Sequence, residues 1–583
     1  MKSALPAIAC ALAALAPLPA AALPTLVVTR DDTVIRQSCE IIIPPGTVIP
    51  DANTNGVLHI AADNIVVRFP RPSILRGAPE DTPWDQLRGI GIRVHGRRGV
   101  RILNARVHGF FNGLVATRTG NLLIDGGDFS DNYRQRLRST PVAEDGSDWL
   151  FPHNNDRVRW RDQYGGAICI EGSRYPEVRG VQVRRGQNGI LLDRVRGARI
   201  YDNDCSFLSG WGLALWRSSS NVVSRNAFDF CIRGHVEGVY NRGQDSAGIL
   251  CFEQSSDNVF IENSATHGGD GFFGFAGREA LGEAWLDAER TRLRQETGRD
   301  DVESLIQAPP ALARDLSARG CNRNLLLNND FSYASAHGIE MTFSEDNVFA
   351  RNRLVENAIC GIWGGYSSGT LIADNEIARN GGMAYGLERG GINMEHASRN
   401  RILRNVFTDN KCAIHLWWDP DLALLSNPGV SGNYIAVRSN VIAGNRFLFT
   451  ATPPFPYDGQ PMVILQLRDL GSGNVRDNLY LANEISTLPS NAVEWLVQPG
   501  TEPATNGTFR VGRIPRFTPI GRNRPVGARA HLHGRQQIIL DEWGPWDHES
   551  PLPRPLRTSG PRHVYEVNDS DRPRQGNYLY GAF

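Results

Sequence analysis

The chain of 583 residues carries a repeat of 23 residues along most of its length. A Gly followed by a small or apolar residue opens a short strand-like run at Gly166, Gly189 and Gly212, each 23 residues after the last. The same spacing recurs in other Gly residues and in a column of Asn residues: Gly248 and Gly271, Gly338 and Gly361, Asn203 and Asn226, and Asn329, Asn352 and Asn375. A unit of this size buries its apolar side chains only by stacking on its neighbours, so the repeat predicts a solenoid.

Polar turns such as Ser256-Asp257-Asn258 divide each repeat into two or three β-rich runs. Asn and Asp tolerate left-handed turn conformations, and Asn side chains stacked in register can hydrogen-bond along a ladder. Three short strands in about 23 residues are typical of a parallel β-helix, whereas the LxxLxL pattern of a leucine-rich repeat is missing. The sequence therefore predicts an all-β protein, a parallel β-helix with loop and helix insertions and a β-rich C-terminal region.

Residues 30–450 resemble the right-handed parallel β-helix proteins of the pectin-lyase-like superfamily. The resemblance is carried by the 23-residue coil, the Asn column and turns such as Ser220-Asn221-Val222-Val223. It implies kinship with secreted polysaccharide lyases, hydrolases and epimerases, and with some non-catalytic proteins. The paired Asp and Gly-His-Gly signatures of polygalacturonases are absent, and Asp419-Pro420-Asp421 lacks the His of the mannuronan epimerase signature. The resemblance therefore identifies no subfamily and assigns no catalytic residue.

We divide the chain into three parts. Residues 1–22 are predicted to be a signal peptide, residues 23–445 the parallel β-helix with a helical insertion at about 277–320, and residues 446–583 a β-rich C-terminal region. In the insertion, Leu281, Trp285 and Ala288 recur at helical spacing, which predicts a helix from Arg278 to Thr297. This helix is either one wall of a cleft or a cap over an exposed edge.

The N-terminus suggests export. Lys2 precedes an apolar run from Ala4 to Leu18, and Ala20-Ala21-Ala22 suits a cleavage site. A short membrane anchor is the alternative, although the run is short for a hydrocarbon layer of about 30 Å. No later segment is apolar enough to span a membrane. We expect a secreted or periplasmic bacterial protein, and a monomer.

Charge and cysteine usage exclude several classes of function. The 62 basic residues equal the 62 acidic ones in number, so nothing indicates a nucleic acid partner. Eight Cys follow the predicted signal peptide without a CxxC pair or other metal-ligand spacing, and we expect buried free thiols rather than disulfides. The sequence thus predicts no metal ligand and no certain cofactor. A divalent cation such as calcium is left open, because it could neutralise a substrate carboxylate.

The alternation of side chains along a strand predicts which residues share the outer surface of the solenoid. Counted from the Gly that opens each run, the second and fourth residues point outward and should stack in two columns. The first column is Leu250, Phe273, Glu340, Trp363, Asn393 and His415, and the second is Phe252, Phe275, Thr342, Gly365, Glu395 and Trp417. Trp rings beside acids and amides suit sugar binding. The candidate substrate-binding residues are therefore Arg242, Trp363, Asn393, His415 and Trp417, unless the Trp rings form a secondary core beneath the inserted loops.

Asp270 and His337 precede the opening Gly of consecutive coils and should be neighbours about 4.8 Å apart. A carboxylate beside a His can orient the ring and raise its basicity. Glu340 lies three residues beyond His337, and Arg242 belongs to the loop before Gly248. The candidate catalytic residues are Asp270, His337, Glu340 and Glu395, although Asp270 and His337 could instead be a structural pair between coils.

Two classes of function fit these residues. The first is an exported enzyme acting on an acidic polysaccharide in a cleft along the solenoid. It would be a lyase or epimerase with His337 as base, or a glycoside hydrolase with Asp270 and Glu340, or Glu340 and Glu395, as paired acids. The second is a non-catalytic carbohydrate-binding or surface protein, which would keep the Trp residues and tolerate loss of Asp270 and His337.

Overall fold

Parallel strands stack along the whole repeat region in this computed structural model. The structure describes residues 22–384, 386–431, 434–450 and 460–548, and the backbone of three strands beyond them. The predicted signal peptide lies outside the described residues except for its last position. One sheet, called here the front sheet, has fifteen strands that pair in chain order. They are Thr33–Ile35, Leu58–Ile60, Ile90–His95, Asn112–Thr117, Gly166–Glu171, Ile190–Asp193, Trp211–Trp216, Ala247–Phe252, Asp270–Phe275, His337–Thr342, Cys360–Trp363, Gly390–Glu395, Cys412–Trp418, Met462–Asp469 and Ala492–Val497.

Two further parallel sheets close each coil. The back sheet has seventeen strands: Thr25–Val27, Cys39–Ile42, Val66–Arg68, Leu75–Arg76, Arg101–His108, Leu123–Asp128, Glu177–Val183, Arg199–Tyr201, Asp204–Cys205, Val222–Ser224, Val259–Ile261, Leu325–Leu327, Val348–Ala350, Leu371–Ala373, Arg401–Leu403, Val441–Ala443 and Leu479–Leu481. The side sheet has five: Arg353–Val355, Glu376–Ala378, Val406–Thr408, Arg446–Leu448 and Glu484–Ile485. The predicted all-β parallel solenoid is confirmed.

The core runs through the inside of the coils as one continuous apolar column. Ile339 and Met341 of one front strand point into it and are buried, while Glu340 between them points outward. The predicted spacing is wrong by one residue at a single step, because Ile168 pairs with Ile190 and the coil between them has 22 residues. Ala167 therefore takes the position that Gly occupies in later coils.

Asn side chains form the predicted ladder inside the turns. Asn203, Asn226, Asn329, Asn352 and Asn375 are buried, and each amide donates to the side-chain oxygen of the next Asn in the ladder, at 2.9–3.1 Å. The residue before each of them has a positive φ, such as 56° at Asn328 and 58° at Arg351. These turns are tight, because the residue before each Asn has an unfavourable positive φ. The ladder provides the hydrogen bonds that the buried polar groups of such turns require.

The insertions supply the helices. The predicted helix is confirmed as two segments, Arg278–Leu281 and Glu283–Thr297, which Gly282 separates in a left-handed conformation. The other helices are Trp160–Tyr164, Leu312–Ser317, Leu422–Leu425 and Pro428–Ser431, with short 3₁₀ turns at Trp84–Gln86, Gly146–Asp148, Pro152–Asn154, Gly243–Asp245, Glu303–Leu305 and Arg535–Gln537. Trp160 packs on Trp211 and Trp216, so an insertion covers the outer face of the early front strands. Within the described ranges, no helix is both long and apolar enough to cross a membrane.

The chain after the last front strand runs back along the solenoid. This segment, residues 498–548, is called the return strap. Its only described strands are Leu540–Asp541 and Gly544–Pro545, which pair with each other. Ile538 is buried against Phe207, Phe230 and Ile232 of much earlier coils. Farther on, Arg554–Ser559, Arg562–Val567 and Leu579–Ala582 form an antiparallel sheet. Front strands thus continue beyond residue 445, and the division into domains stays a prediction.

All eight cysteines within the described ranges are free and buried, which confirms the predicted thiols. Burial raises the pKa of the Cys169 thiol, for example, well above its ordinary value. Thiols held in this state are poor nucleophiles, so they act as small apolar core residues.

Candidate functional site

The outward columns of the front sheet have the predicted register. Leu250 pairs with Phe273, Phe273 with Glu340, Glu340 with Trp363, Trp363 with Asn393 and Asn393 with His415. Glu395 pairs with Trp417 two residues farther along the same strands. Because strand pairing fixes these neighbours, polar groups collect on the ninth to thirteenth strands of the front sheet. They form two clusters, one at each end of the strands, with Trp363 and Asn393 between them.

The first group, the His337 cluster, lies where the strands begin. The Nδ1 atom of His337 is 3.3 Å from Oδ1 of Asp270 and 3.2 Å from Oε2 of Glu340. The backbone N–H of His337 donates to the same Asp270 oxygen at 2.8 Å. Only 1 % of the His337 side chain is exposed. The predicted contact between Asp270 and His337 is confirmed, and Glu340 joins it.

Loops from two insertions complete the His337 cluster. Glu388 precedes the strand Gly390–Glu395 and lies 3.8 Å from Nε2 of His337. Arg242, from the loop before Ala247–Phe252, donates to Glu388 at 2.6 Å. Asp245 of the same loop is half-buried near Asp270 and Glu340. The structure thus brings four carboxyl groups, one imidazole and one guanidinium together.

The carboxyl groups of the His337 cluster differ in pKa because their charged neighbours differ. Burial, reinforced by the charges of Glu340 and Asp270, raises the pKa of Asp245 to about 8. Burial acts to raise the pKa of Glu388 as well, but contact with His337 and Arg242 outweighs it and lowers that pKa to about 2. Burial alone would lower the pKa of His337, yet the surrounding carboxylates raise it well above its ordinary value. The imidazole therefore holds its proton at neutral pH, which removes it as a general base.

Trp363, Asn393, His415 and Trp417 lie between the two clusters, but only Trp363 reaches the surface. In the orientation that satisfies its amide, Asn393 accepts from the indole N–H groups of Trp363 and Trp417, at 3.2 and 3.3 Å. His415 is fully buried and Trp417 is 5 % exposed. These two side chains support the surface from beneath rather than facing solvent, because the loop carrying Leu387 covers His415.

The second group, the His396 cluster, lies where the same strands end. His396 Nε2 is 2.8 Å from Oδ1 of Asp419 and 3.8 Å from Oε1 of Glu395. On its other edge, Nδ1 is 2.5 Å from the hydroxyl of Tyr434, which also accepts from Trp418 Nε1 at 2.5 Å. Tyr366 stacks on the imidazole, with ring centroids 4.5 Å apart. His396 is thus held on both edges and one face.

Glu395 is unusual for a carboxyl group near the surface. Burial, together with the charges of Asp419, Asp421 and Glu388, raises its pKa to about 8. A cavity of about 60 Å³ next to His396 is lined by Tyr366, His396, Arg399 and Tyr434, and by Leu281 of the helical insertion, whereas neither Glu395 nor Asp419 lines it. The insertion thus reaches the cavity, and its role as one wall of a cleft stays a prediction.

Two triads have the proximity that a metal ion requires. The ligand atoms of Asp270, His337 and Glu340 lie within 4.8 Å of one another, and so do those of Glu395, His396 and Asp419. In the second triad the imidazole already has a hydrogen-bond partner at each nitrogen. The two triads have similar ligand types, but they differ in the hydrogen bonding of their imidazole nitrogens.

Sequence reasoning missed Glu388, His396, Asp419 and Tyr434. Glu388, Asp419 and Tyr434 lie in or next to inserted segments, where chain length varies and no register places a side chain, whereas His396 directly follows the strand Gly390–Glu395. The available signal was the position of the insertions, which begin and end beside the front strands.

Comparisons with known proteins agree with this architecture. A family model described as a right-handed β-helix region matches residues 161–280 and 313–435. No curated protein matches the chain. Among solved structures, the chain is similar to the A-module of the Azotobacter vinelandii mannuronan C-5 epimerase AlgE4, with 13 % identity over 77 % of this chain and 91 % of that one, and a TM-score of 0.37.

Two other solved structures have comparable coverage. An alginate lyase from Paenibacillus sp. has 8 % identity over 76 % of this chain and 92 % of that one, with a TM-score of 0.26. A mannuronic acid specific polysaccharide family 6 lyase from human gut microbiota has 11 % identity over 82 % and 86 %, with a TM-score of 0.34. The stacked parallel sheets give this chain a parallel β-helix fold, and the family model matches the right-handed class over residues 161–280 and 313–435, which is consistent with the resemblance to the pectin-lyase-like superfamily.

Proposed function

We propose that this protein is an exported polysaccharide-active enzyme that hydrolyses a glycosidic bond at the His396 cluster. One observation carries the proposal. Glu395 and Asp419 present carboxyl oxygens within 4.8 Å of each other, both next to His396, and the environment of Glu395 raises its pKa to about 8, which keeps it protonated at neutral pH. One protonated and one accessible carboxyl group are the two parts that glycoside hydrolysis needs.

The roles follow from the geometry. Glu395 would donate its proton to the glycosidic oxygen as the bond to the leaving sugar breaks. Asp419, held by His396, would attack the anomeric carbon, and water activated by Glu395 would then release the sugar. Carboxyl oxygens within 4.8 Å of each other fit enzymes that retain the anomeric configuration, whose carboxyl groups lie about 5–5.5 Å apart, rather than inverting enzymes, whose spacing of about 6.5–9.5 Å leaves room for water.

The surroundings fit a sugar chain. Tyr366 stacks on His396 and lines the cavity, and Trp363 is partly exposed on the neighbouring strand. Aromatic rings of this kind pack against the C–H faces of sugars. Arg399 in the cavity and Arg242 at the other cluster are the groups that would contact carboxylates of an acidic polysaccharide.

Hydrolysis is favoured over the lyase mechanism with His337 as base. Elimination needs an unprotonated group that can take a proton from carbon. The carboxylates around His337 keep its imidazole protonated, and the ring is buried. The structure therefore supports an acid-assisted cleavage elsewhere on the same sheet.

The test is a screen of the purified protein against acidic and neutral polysaccharides. Reducing ends without absorbance from unsaturated uronates would indicate hydrolysis, and NMR of the first product would report retention. Glu395→Gln should lower kcat by about 10²–10⁴-fold. The matched control is Glu376→Gln, a carboxyl group on the exposed side of the side sheet, which should keep full activity.

Other outcomes would contradict the proposal in distinct ways. Unsaturated products would indicate a lyase, and altered sugar configuration without cleavage would indicate an epimerase. Sugar binding without any change in the polymer, unaffected by Glu395→Gln, would favour the non-catalytic carbohydrate-binding protein.

A further inference from the structure

We propose that Asp270, His337 and Glu340 form a binding site for one divalent transition-metal ion of the zinc or manganese class. The site is distinct from the carboxyl pair of the proposed hydrolysis, and its metal binding can be measured without any substrate. It stands on the geometry and burial of these three side chains.

The distances match those between ligands of a common metal ion. Nδ1 of His337 lies 3.3 Å from Oδ1 of Asp270 and 3.2 Å from Oε2 of Glu340. Bonds of about 2.0–2.2 Å from zinc to nitrogen and oxygen place neighbouring tetrahedral ligands about 3.3–3.5 Å apart. Two of the three separations thus already equal those between corners of a coordination tetrahedron, and the third, between the Asp270 and Glu340 oxygens, is within 4.8 Å.

Hydrogen bonding does not explain the arrangement. The His337 side chain is 1 % exposed, yet its contacts with the neighbouring carboxylates lack hydrogen-bond geometry at both ring nitrogens. Buried polar atoms in native proteins nearly always have a hydrogen-bond partner, an ordered water or an ion. Nδ1 is directed at two carboxylates, so the centre of the triad suits a cation, either the proton that the free protein holds there or a metal ion that displaces it.

The residues around the triad fix and orient its side chains, as the neighbours of metal ligands commonly do. Asp270 is fixed by the backbone N–H of His337 at 2.8 Å. Glu388 lies 3.8 Å from Nε2, on the edge of the ring opposite the triad, where carboxylates commonly orient a ligating His. Glu388 is in turn paired with Arg242 at 2.6 Å. The ligands come from two adjacent strands of the front sheet, so the site is rigid before any ion binds.

Charge balance also favours a cation. Asp270, Glu340 and Glu388 surround His337, and the guanidinium of Arg242 pairs with Glu388. A dication between Asp270 and Glu340 would offset the repulsion of their two carboxylates. One imidazole with two carboxylates suits zinc, manganese and related ions, whereas calcium prefers a larger set of oxygen ligands. The donor set therefore favours a transition metal over calcium.

The experiment is equilibrium dialysis of the chelator-treated full-length protein against Zn²⁺ or Mn²⁺, with Ca²⁺ as comparison. We expect one bound Zn²⁺ or Mn²⁺ per chain and at least tenfold weaker Ca²⁺ binding. His337→Asn and Glu340→Gln should each weaken Zn²⁺ binding by more than tenfold. The matched control is Glu395→Gln in the His396 cluster, which should bind the metal as the wild type does.

A second measurement keeps the proposal testable if those variants do not fold. X-ray absorption at the zinc edge of the wild-type protein should show one imidazole among light-atom ligands and no sulfur. Failure of the wild type to bind a stoichiometric metal ion would overturn the proposal, leaving a proton as the occupant of the triad. So would sulfur ligation, or binding that survives His337→Asn and is lost in Glu395→Gln. None of these outcomes depends on whether the protein hydrolyses polysaccharide.

Discussion

At the scale of single residues, the environment of a carboxyl group decides its chemistry more than its type does. Glu388 and Glu395 are seven positions apart, on one strand and the loop before it. Contact with His337 and Arg242 lowers the pKa of Glu388 to about 2, although burial opposes this shift. Burial and three neighbouring carboxylates raise that of Glu395 to about 8. Only the second can donate a proton at neutral pH.

This difference predicts how stability changes with pH. Because the pKa of Glu395 is raised in the folded state, the folded protein binds more protons than the unfolded chain between about pH 4.5 and 8. Stability should therefore fall as the pH rises through that window. Glu395→Gln should reduce the loss between pH 5 and pH 8.5 by roughly 2–4 kcal/mol, measured by denaturant unfolding. An unchanged pH dependence would mean that Glu395 ionises normally in the folded protein.

The raised pKa of Glu395 also predicts how the activity of the wild type depends on pH. With Glu395 as the acid, kcat should fall as the pH rises through about 8, where the folded carboxyl group loses its proton. A pH–rate profile of the wild type would show this limb. If the decrease instead began near pH 5, a carboxyl group of ordinary acidity would be the donor.

At the scale of elements, strands were predictable from the sequence and inserted loops were not. The period of two along a strand and the pairing of coils are enough to place four outward residues in one row: Glu340, Trp363, Asn393 and His415. The alternation could not indicate that Trp417 and His415 lie beneath a loop, since burial depends on what covers the sheet. Asp419 and Tyr434 follow the last residues of a strand by different lengths of insertion, so no spacing relates them to His396.

The Asn ladder is the element whose energetic role can be measured most directly. Asn329 donates to the carbonyl of Phe260 and to Asn352, and accepts from the side chain of Asn263, at 3.0 Å in each case. Asn329→Ala leaves these buried partners unsatisfied and should cost about 2–4 kcal/mol of unfolding free energy. Asn506→Ala, at an exposed position of the return strap, is the control and should cost less than about 0.5 kcal/mol. A small effect of Asn329→Ala would show that water replaces the ladder.

At the scale of the whole molecule, the return strap ties late chain to early coils. Arg529 donates to Asp229 and to Asp204 at 2.8 Å each, and the Asp229 side chain is 1 % exposed. Asp202 accepts the backbone N–H groups of Arg522 and Asn523, also at 2.8 Å. A solenoid holds its coils together through neighbours alone, so contacts across some 300 residues of sequence add a constraint that stacking lacks.

Removing the Arg529 contacts should weaken the docking of the return strap without unfolding the solenoid. Arg529→Ala leaves the buried Asp229 carboxylate without its guanidinium, at a cost of about 3 kcal/mol that falls on the docking of the strap. Limited proteolysis should therefore cut within residues 498–548 faster than in the wild type, while the circular dichroism of the parallel sheets stays unchanged. Arg510→Ala, on the exposed chain earlier in the strap, is the control and should leave cleavage as it is. Equal rates for Arg529→Ala and the wild type would mean that the apolar contact of Ile538 with Phe207 and Phe230 is enough to hold the strap.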